Sequence, residues 1–308
     1  MSENGRETSI SSDAWSMPRR HYVLAVLCLV GIFNFVDRQI ITILIEPIKK
    51  EFGASDTQMG LLTGLMFAGF YLAASIPLAR IADTGSRRNL MVICLGCWSA
   101  MTALGGFAQS FIQLLLTRIG VALGEAGAGP ASHSMISDLY PMRRRGTMLS
   151  IFIAAQSIGI GLGVFLGGLL GDMFNWRVAF VIVGVPGVLL AVLLLTTVKE
   201  PPRGMADNVS ETAKPPPVFV TMKRLLGMPS YVCAVLTSMF GAIPGYGTLI
   251  WGPTFFLRVH ELSAATVGFW FGIVSGAALF IGGISGGMVG DWAARRDVRW
   301  YMRLGGIG

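Results

Sequence analysis

Ala79-Arg80-Ile81-Ala82-Asp83-Thr84-Gly85-Ser86-Arg87-Arg88 is echoed 208 positions later by Gly287-Met288-Val289-Gly290-Asp291-Trp292-Ala293-Ala294-Arg295-Arg296. A small residue, an aspartate and an arginine pair stand at the same relative places in both. Each stretch closes a long apolar run, 57–79 in the first copy and 263–290 in the second, and the same offset brings the start of the run at Tyr231 within two residues of the start of the one at His21. A charged loop repeated between apolar runs at a single offset marks an internal duplication.

Working outward from that loop, a membrane-spanning helix needs about 20 apolar residues. Eight runs qualify: 21–45, 57–79, 89–108, 111–134, 146–171, 178–198, 231–257 and 263–290, and a ninth begins near Trp300. Backbone N–H and C=O groups cannot stay unpaired in lipid, so these runs are expected to be helices and the fold all-α. The expected organisation is a tail (1–19), a six-helix bundle (20–198), a linker (199–228) and the first helices of a second bundle (229–308). Pro201-Pro202 and Pro215-Pro216-Pro217 punctuate the linker. Six helices, a linker and the same series begun again form a parallel two-fold repeat. The second copy reaches two helices and the start of a third, so the chain is expected to be part of a twelve-helix protein.

Composition points the same way. Charged residues make up 13% of the chain and hydrophobic ones 53%, against about 25% charged in soluble domains. The net charge of +7 does not signal a nucleic-acid partner, because the basic residues sit in short clusters between apolar runs. With the N-terminus inside, 18 of the 24 lysines and arginines fall on the cytoplasmic side, as the positive-inside bias requires. The expectation is a multi-pass protein of the cell's inner (plasma) membrane. The first twenty residues are polar and the run after them is too long for a cleaved leader, so the first span is expected to stay. Trp15, Trp176 and Trp300 stand near run ends, where interfacial anchors sit. Cys28, Cys94, Cys97 and Cys233 all lie inside apolar runs and predict neither disulfides nor a metal site. No catalytic triad, metal cluster or phosphate loop is present, so neither a cofactor nor an enzyme is expected. Asn208-Val209-Ser210 matches a glycosylation sequon but falls on the cytoplasmic side of this topology.

Ionised residues inside the runs carry the functional signal. Each costs about 2.5–3.5 kcal/mol at mid-bilayer even on the lenient scale, yet Asp37 and Arg38 share the first run and Arg118 and Glu125 the fourth. Two acids and two bases can neutralise one another. Arg118 and Glu125, seven residues apart, share a face about 10 Å long, whereas Asp37 and Arg38 diverge by about 100°. Such a set is either a packing network or a proton site. Buried pairs seldom improve on apolar packing, which favours the proton site, with Asp37 or Glu125 as the protonated group. Asn34 and Gln156 are candidate cavity hydrogen-bonders. His133 reads as an interfacial histidine, and Pro244-Gly245-Tyr246-Gly247 as a kink or break in the seventh run.

The chain resembles the major facilitator superfamily, and within it the Spinster-like branch. The doubled loop carries the first likeness. Phe33-Asn34-Phe35-Val36-Asp37-Arg38, the stretch from Arg118 through Glu125-Ala126 to Pro130, Asn175-Trp176-Arg177 and Glu200-Pro201-Pro202-Arg203-Gly204 carry the second. The resemblance implies an N-terminal six-helix bundle plus a partial C-terminal one. It implies proton coupling at Asp37 or Glu125, with Arg38, Arg118 and Asn34 serving substrate or charge balance. It also implies a conformational latch of Asp83, Arg87 and Arg88 with their second-copy counterparts Asp291 and Arg295. Ala79 replaces the loop's usual glycine. The Gly-Pro step typical of antiporters is absent, since Val164 follows Gly163, which leans toward symport or facilitated movement. The implied activity is secondary transport of an amphipathic lipid, lysophospholipid or sphingoid in type, coupled to protons by a monomer among membrane lipids. The alternatives are transport of an organic anion or drug by the same fold, and a non-transporting receptor or assembly factor.

Overall fold

The computed structural model describes residues 15–207 and 218–294, so Arg295 and the start of the ninth run lie outside the described residues. Every described element is a helix. Helix α1 (Met17–Ile43) leads through α2 (Ile45–Phe52) and α3 (Asp56–Gly60) into a π-helical turn (Leu61–Leu65) and α4 (Met66–Thr84). Then follow α5 (Arg87–Gly105), α6 (Phe111–Glu125), α7 (Ala128–Leu139), α8 (Met142–Met173) and α9 (Trp176–Thr197). The later part holds α10 (Val218–Leu226), α11 (Pro229–Val259) and α12 (Ala264–Ala294). Polar caps start the helices where the sequence supplies them. Ser55 and Gln58 form a capping box, and Ser86, Ser110 and Asn175 accept from the backbone three residues on.

Seven helices, counting α3–α4 and α6–α7 as one each, are long and apolar enough to cross a membrane. Helix α5, the third run expected to span, falls outside that set because it opens on Arg87-Arg88-Asn89. It nonetheless packs between α6 and α9 inside the first bundle. The linker holds a helix, α10, that its proline-rich reading did not anticipate. Of the kink or break expected in the seventh run, a break is absent: α11 continues through both Pro244 and Pro253. Trp15 and Trp176 are buried and so are not lipid-interface anchors. Trp176 instead donates its indole N–H to Glu51 at 2.6 Å.

Glycines set how closely the helices approach. In α8 they fall on two faces. A Cβ on Gly163 would stand 2.8 Å from Cβ of Gln39 in α1, and one on Gly161 would stand 2.6 Å from the Gly272 carbonyl oxygen in α12. Ordinary side chains cannot be accommodated at that range, so α8 joins the first bundle to the second through small residues. The contact does not run the full length of α12, since a Cβ on Gly282, Gly283 or Gly286 would meet nothing within 4 Å. Helix α11 behaves likewise. Its last turns pack on α1 and the α3–α4 region, whereas the stretch 233–248 is exposed.

The two parts therefore meet at one end, the far face, and diverge toward the tail face where α1 begins. A clasp fixes the far face. Arg258 at the end of α11 donates to Glu46 at 2.7 Å and to both oxygens of Asp56 at 2.6 and 3.0 Å, and Lys49 reaches Asp56 at 2.7 Å. Asp172 accepts from the backbone of Ala265 at 2.7 Å, which ties the end of α8 to the start of α12.

Candidate functional site

The apolar core of the first bundle has two parts. One surrounds Leu27, Trp98 and Tyr140, the other Ile40, Ile45 and Phe180. The intramembrane charges lie where the two meet, and the chain brings all four together. Arg38 donates to Glu125 Oε2 through Nε at 3.0 Å and Nη2 at 2.5 Å. The Glu125 side chain is fully buried, whereas Arg38 keeps 18% exposure. Phe35, Phe67 and Tyr71 place their rings 5.0–5.2 Å from the guanidinium, a stacking that a lysine could not reproduce. Arg38 is thus held by one carboxylate and three rings while part of it stays accessible.

What it opens on is a polar cavity of about 320 Å³, lined by Asn34, Arg38, Tyr71, Glu125, Ser132, His133, Gln156 and Tyr246 among others. Asn34 Nδ2 and Glu125 Oε1 are both buried without a hydrogen-bond partner on this wall. The candidates Asn34 and Gln156 stand in it as expected. His133 is not interfacial: it faces the cavity and packs edge-on against Phe152. On the other side of Arg38 lies a second cavity of about 490 Å³, lined mostly by apolar groups, including Ile41, Leu65, Phe67 and Ile250. Thr63, Gly64 and Leu65 come to its wall from the π-helical turn, a distortion common at functional sites. Arg38, Tyr71 and Tyr246 line both cavities and divide them. Tyr246, which belongs to the 244–247 stretch singled out in the seventh run, is the second bundle's contribution to the polar chamber.

Asp37 and Arg118 stand behind this layer. The divergence expected of neighbours on a helix is realised, with Arg38 turned to the cavities and Asp37 turned into the bundle. Arg118 donates to the backbone carbonyl of Asp37 at 3.2 and 3.3 Å rather than to its carboxylate. Both residues are buried, and neither lines either of these two cavities.

The loop residues take a different position. Arg87 is fully buried at the tail face. It is paired with Asp138 and with Glu200 at 2.8 Å, and also donates to Ser134 and to the Pro201 carbonyl. Arg88 presents its backbone N–H to Glu200 at 2.7 Å, and Ser86 its hydroxyl at 2.9 Å. Burial pushes the Glu200 carboxyl up, but the donors from Arg87, Arg88 and Ser86 outweigh it and hold the group below its ordinary value. These contacts lie between the α4–α5 loop, α7 and the segment after α9, all on the first-bundle side. Asp83 is exposed and lines a groove with Arg80, α10 and the start of α11. Asp291 stands in the last turn of α12, which runs to Ala294.

A helical bundle with charges sealed at mid-depth, closed at one face by helices of a second repeat, defines a multi-pass membrane protein of major facilitator architecture. The family model of the Major Facilitator Superfamily matches residues 27–308, and the chain belongs to that family. It is Spinster-like within it. The chain is 30% identical over 253 residues to human protein spinster homolog 1, covering 80% of this chain and 48% of that protein. It is 37% identical over 289 residues to an MFS-type efflux pump of Mycolicibacterium smegmatis, covering 92% of this chain and 66% of the pump. Among solved structures, it matches a bacterial homologue of the human lysosomal transporter Spinster, in an inward-facing and unoccupied conformation. That match has a TM-score of 0.78 and 33% identity over 92% of this chain and 64% of the other. A D-xylose-proton symporter shares the fold, with a TM-score of 0.64 at 20% identity. The chain thus spans just under two thirds of the efflux pump and the bacterial homologue, and about half of its Spinster relatives.

Proposed function

We propose that the protein is a proton-coupled secondary transporter that works by alternating access and carries an amphipathic lipid of lysophospholipid type, held by its anionic phosphate. The observation that carries this reading is the shared arginine. Arg38 is bound to Glu125 and simultaneously faces a polar chamber on one side and an apolar one on the other. A phosphate head fits the polar chamber beside Arg38, Asn34, His133 and Gln156, and a hydrocarbon chain fits the apolar side along Ile41, Leu65 and Phe67.

Coupling follows from charge balance. In this conformation Asp37, Arg38, Arg118 and Glu125 sum to zero when ionised. An anionic head that takes Arg38 displaces Glu125, which then lies buried without its cation. A carboxylate in that position takes up a proton, so substrate and proton enter the site together and leave together, as in symport. Asp37, close to the same cluster but shielded from the cavity, is the second protonatable group. The far-face clasp and the divergence at the tail face support an inward-open state, with the tail on the cytoplasmic side of the plasma membrane and Asp83, Arg87 and Arg88 serving the opposite closure. The protein functions as a monomer in this reading.

The test is uptake of a fluorescent lysophosphatidylethanolamine into proteoliposomes under an imposed pH gradient, for the wild type, Asp37→Asn and Glu125→Gln. Loss of gradient-driven uptake in the variants is expected, and unchanged uptake in both would remove the proton-site assignment. The similarity to an efflux pump favours a second reading, export of a small organic anion from the same chamber. Competition by a short-chain organic phosphate as strong as that by the lysolipid would select it.

A further inference from the structure

Asp37 is the ionisable group the transport cycle leaves least explained, and its surroundings are specific. Both carboxylate oxygens are buried without a hydrogen-bond partner. The groups that act on it from α5 are the Thr102 hydroxyl and the Trp98 indole N–H. Each of these donors is itself buried without a partner, as is Arg118 Nε. The charged groups that act on Asp37 are Glu125 and Arg118, both from α6, and Arg38 follows it in α1. Two unpaired acceptor oxygens and three unpaired donors therefore share this part of the bundle, away from the two cavities. Native interiors rarely leave such atoms unmatched.

The pattern also has a direction. Every free group from α5 can donate, and the indole N–H and guanidinium Nε can only donate. A carboxylate accepts all of them, whereas a protonated carboxyl offers one acceptor oxygen fewer and a donor of its own. The set is therefore complementary to the charged form of Asp37, and a donor-rich shell excludes a bound cation. Position reinforces this. Thr102 and Trp98 lie four residues apart, on one face of α5, and α5 is anchored on its other side where a Cβ at Gly184 would stand 2.5 Å from the Ala103 nitrogen. The donors are thus carried on a helix packed closely against α9.

We propose that Thr102 and Trp98 are positioning residues for the proton site: their donors serve the Asp37 carboxylate through one bridging water and set the pH at which that group is loaded. The inference rests on the reading that Asp37 carries a proton during transport. Removing a donor to the charged form favours the protonated form, so loading then occurs at higher pH.

The experiment is a pH titration of the protonated-carboxyl infrared band of the protein in liposomes, without substrate, alongside gradient-driven uptake of the fluorescent lysophosphatidylethanolamine. Asp37→Asn is expected to delete one titrating band. A spectrum and uptake unchanged by Asp37→Asn would overturn the parent reading and this inference with it. If Asp37→Asn deletes the band, Thr102→Val is expected to move its midpoint up by about one pH unit, a ten-fold gain in proton affinity. Thr102→Ser, which keeps the hydroxyl, is expected to hold the wild-type midpoint, and Trp98→Phe to shift it in the same sense as Thr102→Val. In an Asp37→Asn background, Thr102→Val should leave the remaining profile unmoved. A Thr102→Val midpoint equal to that of Thr102→Ser, or a shift of the same size persisting without Asp37, would overturn the assignment of these donors to Asp37 while leaving Asp37 as a proton site.

Discussion

The pairing of Arg38 with Glu125 can be broken from either side, and the structure says how the two losses should combine. Glu125→Gln leaves Arg38 partly buried among Phe35, Phe67 and Tyr71 without a counter-charge, and Arg38→Gln leaves a fully buried carboxylate. Truncating one member of a buried ion pair costs about 3–5 kcal/mol, most of it the penalty of the abandoned charge. Glu125 is fully buried and Arg38 is 18% exposed, so Arg38→Gln should fall at the upper end and Glu125→Gln at the lower. At roughly 2 °C per kcal/mol for a large domain, the thermal midpoint in detergent should drop by about 6 °C for Glu125→Gln and about 10 °C for Arg38→Gln. The double variant abandons no charge, and replacement of both members is often near neutral. It should therefore melt above either single variant. The assay is a thermal scan of the four proteins in one detergent, read as a double-mutant cycle. A double variant that loses the sum of the two single losses would refute the claim that these groups hold each other.

Other outcomes follow from the same contacts. Arg258→Ala removes the anchor of the far-face clasp, and an impermeant maleimide should then label Thr42→Cys, on the wall of the apolar cavity, several-fold faster from that face. An unchanged labelling rate would mean that packing alone closes it. Gly184→Ala drives a methyl into the α5 backbone and should cost about 1–3 kcal/mol by overpacking, measurable as a lower thermal midpoint. The lowered Glu200 carboxyl contributes stability that is fully present above its ordinary value of 4.5 and lost as pH falls through its lower folded value. Glu200→Gln should therefore lower the midpoint at pH 7 and converge with the wild type in acid.

Much of the architecture was legible in the sequence because membrane solvation leaves so few options. The repeated Asp83 and Asp291 loops and the apolar runs sufficed for the helices and the two-bundle plan. Buried charges betrayed the site, since Asp37, Arg38, Arg118 and Glu125 are costly anywhere else. What stayed hidden depended on three-dimensional direction. Neighbours on a helix point about 100° apart, so the sequence could say that Asp37 and Arg38 diverge but not which of them meets the cavity. His133 looked like a helix-end residue because α7 continues to Leu139, beyond where the apolar run fades. Helix α10 is nine residues long and follows three prolines, too short for periodicity to reveal. Trp98 and Thr102 read as ordinary members of an apolar helix, and only their unmatched donors around Asp37 distinguish them. Arg258 and its partners Glu46 and Asp56 lie some 200 residues apart, and no local pattern joins them.

The central claim is that buried acids bind protons as the substrate binds. The most direct measurement loads proteoliposomes with a pH-sensitive dye, imposes no gradient, and adds unlabelled lysophosphatidylethanolamine outside. Acidification of the lumen by the wild type, abolished in Asp37→Asn or Glu125→Gln, is the expected result. Lipid entry by the wild type with no change in luminal pH would contradict the account.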